Sequence, residues 1–460
     1  MARDVTDTTV LSSRRELIEW LEAGNKPQGP HRIGTEHEKI PFYKADQSPV
    51  PYKGHAGAGG IEALLQGLRA QSGWSPIVDG PHTIIGLADD HGGGAISLEP
   101  GGQFELSGAP LLDVHETMDE FDRHMAAVKT IGDMIGVGFL DLGASPLWTR
   151  AQTPVMPKQR YEIMARYMPK VGSRGLDMMF RTATIQTNLD FASEADMVRK
   201  MRVSLALQPL ATALFANSPF LDGGLNGFLS MRSEIWRHTD GDRTGMMPFM
   251  FEPGAGFESY VDFALAAPMY FVKRGEVYHD VAGARFGDLL EGRLAHLPGE
   301  RATLSDWANH LSTVFPEVRL KRYIEMRGAD MGPRSHIGAL PALFVGLLYD
   351  QDSLQAALDL VAGWSAQERQ RLRDETPRLG LAASIGGRTL RDIGRDALAI
   401  AERGLSRRAR RNGKGQDETI YLDPLRRIVE TGQPRAAELI AHFKGDWRDS
   451  VLPAFSACAL

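Results

Sequence analysis

Polar and apolar residues alternate with a period of two in HRIGTEHEKIPF, so Glu36 and Glu38 share one face of a strand while Ile33 and His37 take the other. AISLEPGGQFELSG reads as a hairpin. With Pro100, Gly101 and Gly102 as its loop, Glu99 falls opposite Gln103 and Ser97 opposite Glu105, which puts these side chains on one sheet face. MMFRTATIQTNLDF alternates as well, with Thr182, Thr184, Gln186 and Asn188 on one side. RLKRYIEMRGAD, near 319 to 330, reads as one more alternating strand that groups Tyr323, Glu325 and Arg327.

A helical period predicts helices over 12 to 24, 59 to 70 and Asp113 to Ile135. A further helix is capped by Ser193, is kinked at Pro209 and ends at Asn217, Ser218 and Pro219. The proline-rich connector from Ser145 to Pro157 and the segment after it read as a lid or substrate-facing excursion. Beyond about residue 340 the pattern is helical almost throughout. Strands separated by helices and long excursions, rather than by regular crossovers, define an α+β fold with an antiparallel sheet covered by helices. The expected division is a catalytic core over 1–350 and a helical C-terminal region over 351–460, packed on it as one structural unit.

Several carboxylates on one sheet face repel unless they meet open water or cations, and hard divalent ions with oxygen ligands suit them. The bland alternative is a solvated antiparallel face. Gly92, Gly93, Gly94, Gly101 and Gly102 beside these carboxylates suggest close approach of a ligand to the backbone. Arg232, Arg237, Asp240, Asp242 and Arg243 in MRSEIWRHTDGDRTG form either an exposed charged loop or an arginine clamp for carboxylate or phosphate. Glu325 beside Arg327 is either a structural ion pair or part of the site. Gln186 and Asn188 either orient an amino-acid substrate or satisfy neighbouring strands. Magnesium-binding carboxylates with arginines aimed at them are what phosphoryl transfer requires.

Composition narrows the rest. The 460 residues are 43% hydrophobic and 24% charged, as in ordinary globular proteins. A net charge of −6 provides no broad field for nucleic acid. Arg407, Arg408, Arg410, Arg411 and Lys414 form a basic cluster, read as a solvated helix end or, more sharply, an anion-binding patch. No apolar run reaches membrane-spanning length, and the N-terminal segment has no signal core, so a cytoplasmic protein is expected. Cys458 is the single cysteine, which excludes an intramolecular disulfide. HAGAGG at 55 to 60 lacks the lysine of a phosphate-binding loop, so a nucleotide must bind another way. Monomer and weak homodimer are both compatible with the sequence.

RIGTEHEKIPF, ISLEPGGQFELSGAPL, FRTATIQTNLDF, NGFLSMRSEIWRHTDGDRTGMMPF and FPEVRLKRYIEMRGAD closely resemble glutamate-cysteine ligases of the plant and proteobacterial type, over about residues 12 to 455. The resemblance implies a glutamine-synthetase-like fold, with the antiparallel sheet bent into a funnel. It also implies ATP- and magnesium-dependent coupling of the L-glutamate γ-carboxylate to the amino group of L-cysteine through γ-glutamyl phosphate, the first step of glutathione synthesis. By motif, Glu36, Glu38, Glu99, Glu105 and Glu325 are implied as magnesium ligands. Arg243 and Arg327 are implied as cations on phosphate or the γ-carboxylate, and Arg232, Trp236, Gln186 and Asn188 as substrate-binding residues. Plant members are switched by intramolecular disulfides, which this chain cannot form. The alternatives are a related carboxylate-amine ligase with another acceptor, a phosphotransferase on the same scaffold, or a binding module that retains nucleotide affinity.

Overall fold

The computed structural model describes residues 6–55, 57–80 and 82–460. Among them, nine strands form one antiparallel sheet: β1 (Ile33–Tyr43), β2 (Ser75–Asp79), β3 (Thr83–Ala88), β4 (Ala95–Leu98), β5 (Phe104–Ser107), β6 (Val137–Leu140), β7 (Thr184–Leu189), β8 (Val318–Leu320) and β9 (Ile324–Asp330). Their order is β8-β9-β7-β1-β5-β4-β3-β2, and β6 pairs with the far half of β1. β1 is long enough, at 11 residues, to carry both β5 and β7 along its first half and β6 along its second. This is the α+β class with the large antiparallel sheet expected.

Six helices bear on the site or back the sheet that carries it: α1 (Val114–Ile135), α2 (Gln159–Val171), α3 (Gly175–Arg181), α4 (Glu194–Leu214), α5 (Met231–Arg237) and α6 (Arg334–Leu348). α1 starts where the Asp113 carboxylate accepts the Glu116 N–H and ends at Gly136, whose φ of 74° suits glycine. α1 and α6 lie against β1, covering the face on which His37 packs edge-on to Phe121 and His124. α4 stays helical through Pro209 to Leu214. Nearly every residue from Met201 to Leu214 is buried, and that packing offsets the backbone hydrogen bond that Pro209 removes.

The helices after residue 350 join the same hydrophobic core as the sheet; Leu354, Leu398, Leu425 and Phe455 share one cluster with Leu17, Leu106 and Ile185. A second, smaller cluster lies apart from it and is built from Tyr161, Met164, Met168, Met178, Met179, Met231, Ile235, Tyr270 and Phe271. The open face of the sheet and this second cluster enclose the cavity described next.

Two readings of the pattern need correction. RLKRYIEMRGAD is not one strand but a hairpin, pairing Val318 with Met326, Arg319 with Glu325 and Leu320 with Ile324. The chain turns over Lys321–Tyr323 without breaking the alternation, so the period hides the turn. The first residues of MMFRTATIQTNLDF belong to α3, and the strand begins only at Thr184.

Candidate active site

β1 brings Glu36 and Glu38 to the open face of the sheet, and the β4–β5 hairpin brings Glu99, Gln103 and Glu105 beside them. The hairpin has the expected register: Ser97 pairs with Glu105, and the Glu99 N–H donates to the Gln103 carbonyl at 3.0 Å. All four carboxylates line one cavity, together with Thr184, Gln186 and Arg327 from β7 and β9. Its roof is Arg160, Tyr161 and Met164 of α2, Met178 and Met179 of α3, and Arg232 and Trp236 of α5.

Each carboxylate is held differently. Glu36 accepts from Asn188 Nδ2 at 2.7 Å and Glu38 from the Thr184 N–H at 3.0 Å. Glu105 accepts from the hydroxyls of Ser97, at 2.5 Å, and Ser107, at 2.9 Å. Burial, then Glu325 and Glu105, push Glu36 above the usual carboxylate range. Burial, then Glu99 and Glu105, push Glu38 well above it, against the opposing pull of Arg232 and Arg327. The row is therefore short of positive charge, which is the condition a divalent cation relieves.

The donor set fits magnesium: carboxylate oxygens, crowded and undercompensated. Among the described residues no three such side chains converge on a ready-made metal centre. Magnesium keeps much of its water and is commonly held by one or two carboxylates plus substrate phosphates, so the arrangement is compatible with it.

Glu325 was implied with these ligands, but the structure puts it under the cavity and fully buried, against three cations. Arg319 grips it at 2.7 and 2.9 Å, Lys321 stands at 3.0 Å and Arg327 donates to it. Although burial opposes ionisation, Arg319, Lys321 and Arg327 hold Glu325 well below the ordinary range. A carboxylate so saturated anchors Arg319 and Arg327 at the cavity wall.

Arg243 is likewise not on the cavity wall. It is fully buried, paired with Asp240 at 2.6 Å, stacked 3.9 Å over the Tyr270 ring, and donates to the Thr313 carbonyl at 2.9 Å. Thr313 lines the cavity, so Arg243 braces the wall from behind. Arg237 pairs with Glu234 and Asp374, which leaves Arg232 as the arginine of that stretch at the cavity. Its Nη2 donates to the Arg327 carbonyl at 3.0 Å, and its guanidinium lies 5.9 Å from the Trp236 ring centre. Arg327 donates to Gln186 Oε1 at 2.6 Å and lies over Trp236 and Phe315. Asn188 is not on the cavity wall and acts through Glu36.

Arg160 and Arg319 also line the cavity and escaped the sequence reading. The signal for Arg319 was its register opposite Glu325, which only the hairpin reveals. Gly101 is not open to a ligand: a Cβ there would meet the Phe180 carbonyl oxygen at 2.2 Å, so its close neighbour is the protein's own backbone, while Gly92 faces the Asp89 carboxylate. In the basic cluster, Arg407 pairs with Asp350 and Asp352, and Arg408 pairs with Glu418, as a charged helix end does.

A carboxylate-lined antiparallel sheet, backed by helices and roofed by arginine and aromatic side chains, defines an α+β protein with a polar candidate active site on the open sheet face. The family model described as glutamate-cysteine ligase family 2 (GCS2) matches residues 32–456. The chain belongs to this family. It is 50% identical over 448 residues to the chloroplastic glutamate–cysteine ligase of Medicago truncatula, covering 97% of this chain and 85% of that one. To the chloroplastic enzyme of Arabidopsis thaliana it is 51% identical over 443 residues, covering 96% and 82%. Among solved structures it overlays a glutamate–cysteine ligase from Francisella tularensis in complex with AMP with a TM-score of 0.48 at 12% identity, covering 92% of this chain and 86% of that one.

These relatives are named chloroplastic, which contradicts the expected cytoplasmic location. Targeting segments are read separately from the folded body, whose composition does not report them. Among the described residues no helix is long and apolar enough to cross a membrane.

Proposed function

We propose that this chain ligates the γ-carboxylate of L-glutamate to the amino group of L-cysteine with consumption of ATP, the first step of glutathione biosynthesis. The observation that carries the reading is the row of Glu36, Glu38, Glu99 and Glu105 lining one cavity together with Arg232 and Arg327, in a chain about half identical to glutamate–cysteine ligases.

In this reading Glu36, Glu38, Glu99 and Glu105 hold magnesium, which when bound neutralises triphosphate charge and orients the γ-phosphoryl group. Arg327, steadied by Gln186 and Glu325, sits where charge develops as the glutamate γ-carboxylate attacks the γ-phosphorus and ADP leaves. The cysteine amine then adds to the acyl carbon of γ-glutamyl phosphate. Phosphate departs with the C–O electron pair, and the amine loses its proton. Arg232 and Trp236 shape the glutamate site. Arg319 adds cationic charge to the cavity wall, fixed there by Glu325. The Met164, Met178 and Met179 side chains of α2 and α3 help form the roof opposite the carboxylates.

The test is phosphate release from ATP and magnesium with L-glutamate, with and without L-cysteine, alongside mass detection of the dipeptide. The expected result is γ-glutamylcysteine, with phosphate release rising when cysteine is added. Turnover with another amine but not with cysteine would overturn the acceptor, and absence of turnover with any amine would overturn the ligase reading.

A further inference from the structure

Asp330, the last residue of β9, is 1% exposed and lies outside the cavity wall. Its Oδ2 accepts from the Asn217 N–H at 2.8 Å and the Ser218 hydroxyl at 2.7 Å, and its Oδ1 from the Ser230 hydroxyl at 2.8 Å. Because each serine spends its only proton on Asp330, its lone pairs are left for α5. Ser218 Oγ accepts the N–H of Arg232 at 3.1 Å, and Ser230 Oγ caps the helix by accepting the N–H of Ser233 at 3.2 Å. The assembly has no slack. A Cβ on Gly143 would lie 2.5 Å from that of Asp330, and Asn217 is tied through its side chain to the carbonyls of Asp141 and Met331.

Arg232, carried on the first turn of α5, is 3% exposed. Burial pulls its guanidinium below the ordinary arginine value, and the charge that does most to oppose this is Asp330. We propose that Asp330 is a positioning residue for the reaction: through Ser218 and Ser230 it fixes the start of α5, and so the placing of Arg232 over the carboxylate row. The inference rests on the ligase reading and on Arg232 meeting glutamate.

Asp330→Asn separates this role from plain packing. The Asn217 N–H can only donate, so the asparagine carbonyl must face it and Ser218, and the new NH2 then meets the Ser230 hydroxyl and turns it. Volume is kept, while the charge is lost and the Ser230 hydroxyl accepts from residue 330 instead of donating to it. The expected result is a KM for glutamate raised about tenfold or more, with the KM for ATP within about twofold of wild type and an unchanged circular dichroism spectrum. Ser230→Ala, which leaves Asp330 in place, should raise the same KM by a smaller factor and serves if Asp330→Asn does not fold. In Arg232→Lys, adding Asp330→Asn should cost little more. An unchanged KM for glutamate with a kcat that falls only as the folded fraction falls overturns the inference, as does full multiplication of the two defects. If the wild type makes no γ-glutamylcysteine, the ligase reading fails and takes this inference with it; an active wild type with an unaffected Asp330→Asn variant overturns the inference alone.

Discussion

Glu325 and Arg319 face each other across the β8–β9 hairpin and share a fork of hydrogen bonds at 2.7 and 2.9 Å, with Lys321 and Arg327 completing the cluster. One buried carboxylate thus compensates three buried cations. Removing a partner from such a cluster leaves uncompensated charge in a medium that solvates it poorly. Glu325→Gln is expected to cost about 3–5 kcal/mol of stability, the usual scale for breaking a buried pair. Urea unfolding checks this. A midpoint equal to that of wild type would mean that the cluster is held by something other than Glu325.

Glu99 makes the contrasting prediction. It is partly exposed, on the β4–β5 loop, and among the described residues its carboxylate has no hydrogen-bond or ion-pair partner. Glu99→Gln relieves repulsion in the row and removes a proposed magnesium ligand. Turnover should fall at least about a hundredfold, the scale of losing one preorganised electrostatic contact in a transition state, while the urea midpoint stays level or rises. Near wild-type activity would remove Glu99 from the metal set.

Much of this contrast was readable from the chain and part was not, for identifiable reasons. A period of two decides which face a side chain takes, so Glu36 and Glu38, and then Glu99 and Glu105 once the loop is set at Pro100–Gly102, could be grouped without coordinates. The same period is blind to a tight turn that preserves it, which is why Glu325 and Arg319 looked like neighbours along one strand instead of partners across two. Arg232 and Arg243 lie in one charged stretch, and nothing local separates them. Helix α5 delivers the first to the cavity, while the second, beyond the Asp240 turn, is claimed by Asp240 and two carbonyls. Arg160 depends on where the excursion carrying α2 folds back, a tertiary fact with no sequence period.

Gly101 tests how tightly the carboxylate hairpin is seated. Its N–H donates to Gln103 Oε1 at 2.9 Å, while Gln103 Nε2 donates to the Thr182 carbonyl at 2.8 Å, so the loop is fastened to the end of α3. A methyl group on Gly101 would collide with the Phe180 carbonyl oxygen, a backbone atom that cannot rotate away. Gly101→Ala should cost about 1–3 kcal/mol, as overpacking generally does. By lifting Glu99 it should also lower turnover by a larger factor than the loss of folded protein accounts for. Parallel urea and rate measurements decide: a rate that tracks the folded fraction would mean the hairpin moves without disturbing the site.

Cys458 predicts insensitivity to redox conditions. It is fully buried, its backbone carbonyl accepts the Asp141 N–H at 2.9 Å, and burial, reinforced by Asp141, pushes its thiol up to about 12. Thiolate is the reactive form, so the side chain is inert near neutral pH. Enzyme treated with a disulfide such as oxidised glutathione and then desalted should turn over at the untreated rate. A loss of rate that a reductant restores would overturn this.

Asp141 gives the pH prediction. It is 4% exposed, its Oδ1 lacks a hydrogen-bond partner, and burial, offset in part by Arg435, raises its carboxyl from 3.8 to about 7. A raised acid binds its proton more tightly in the folded state. Its contribution to stability is therefore fully present below the unfolded value near 3.8 and is lost as pH rises through about 7. Asparagine mimics the protonated form at every pH. Asp141→Asn should match wild type near pH 4 and exceed it by about 1–4 kcal/mol at pH 8 to 9, at roughly 1.4 kcal/mol per pKa unit. Other titrating groups cancel in the difference between the two proteins, so urea midpoints of both across this range isolate Asp141. A stability difference that does not change with pH would mean that Asp141 is ionised in the folded chain throughout, with Arg435 outweighing the cost of burial.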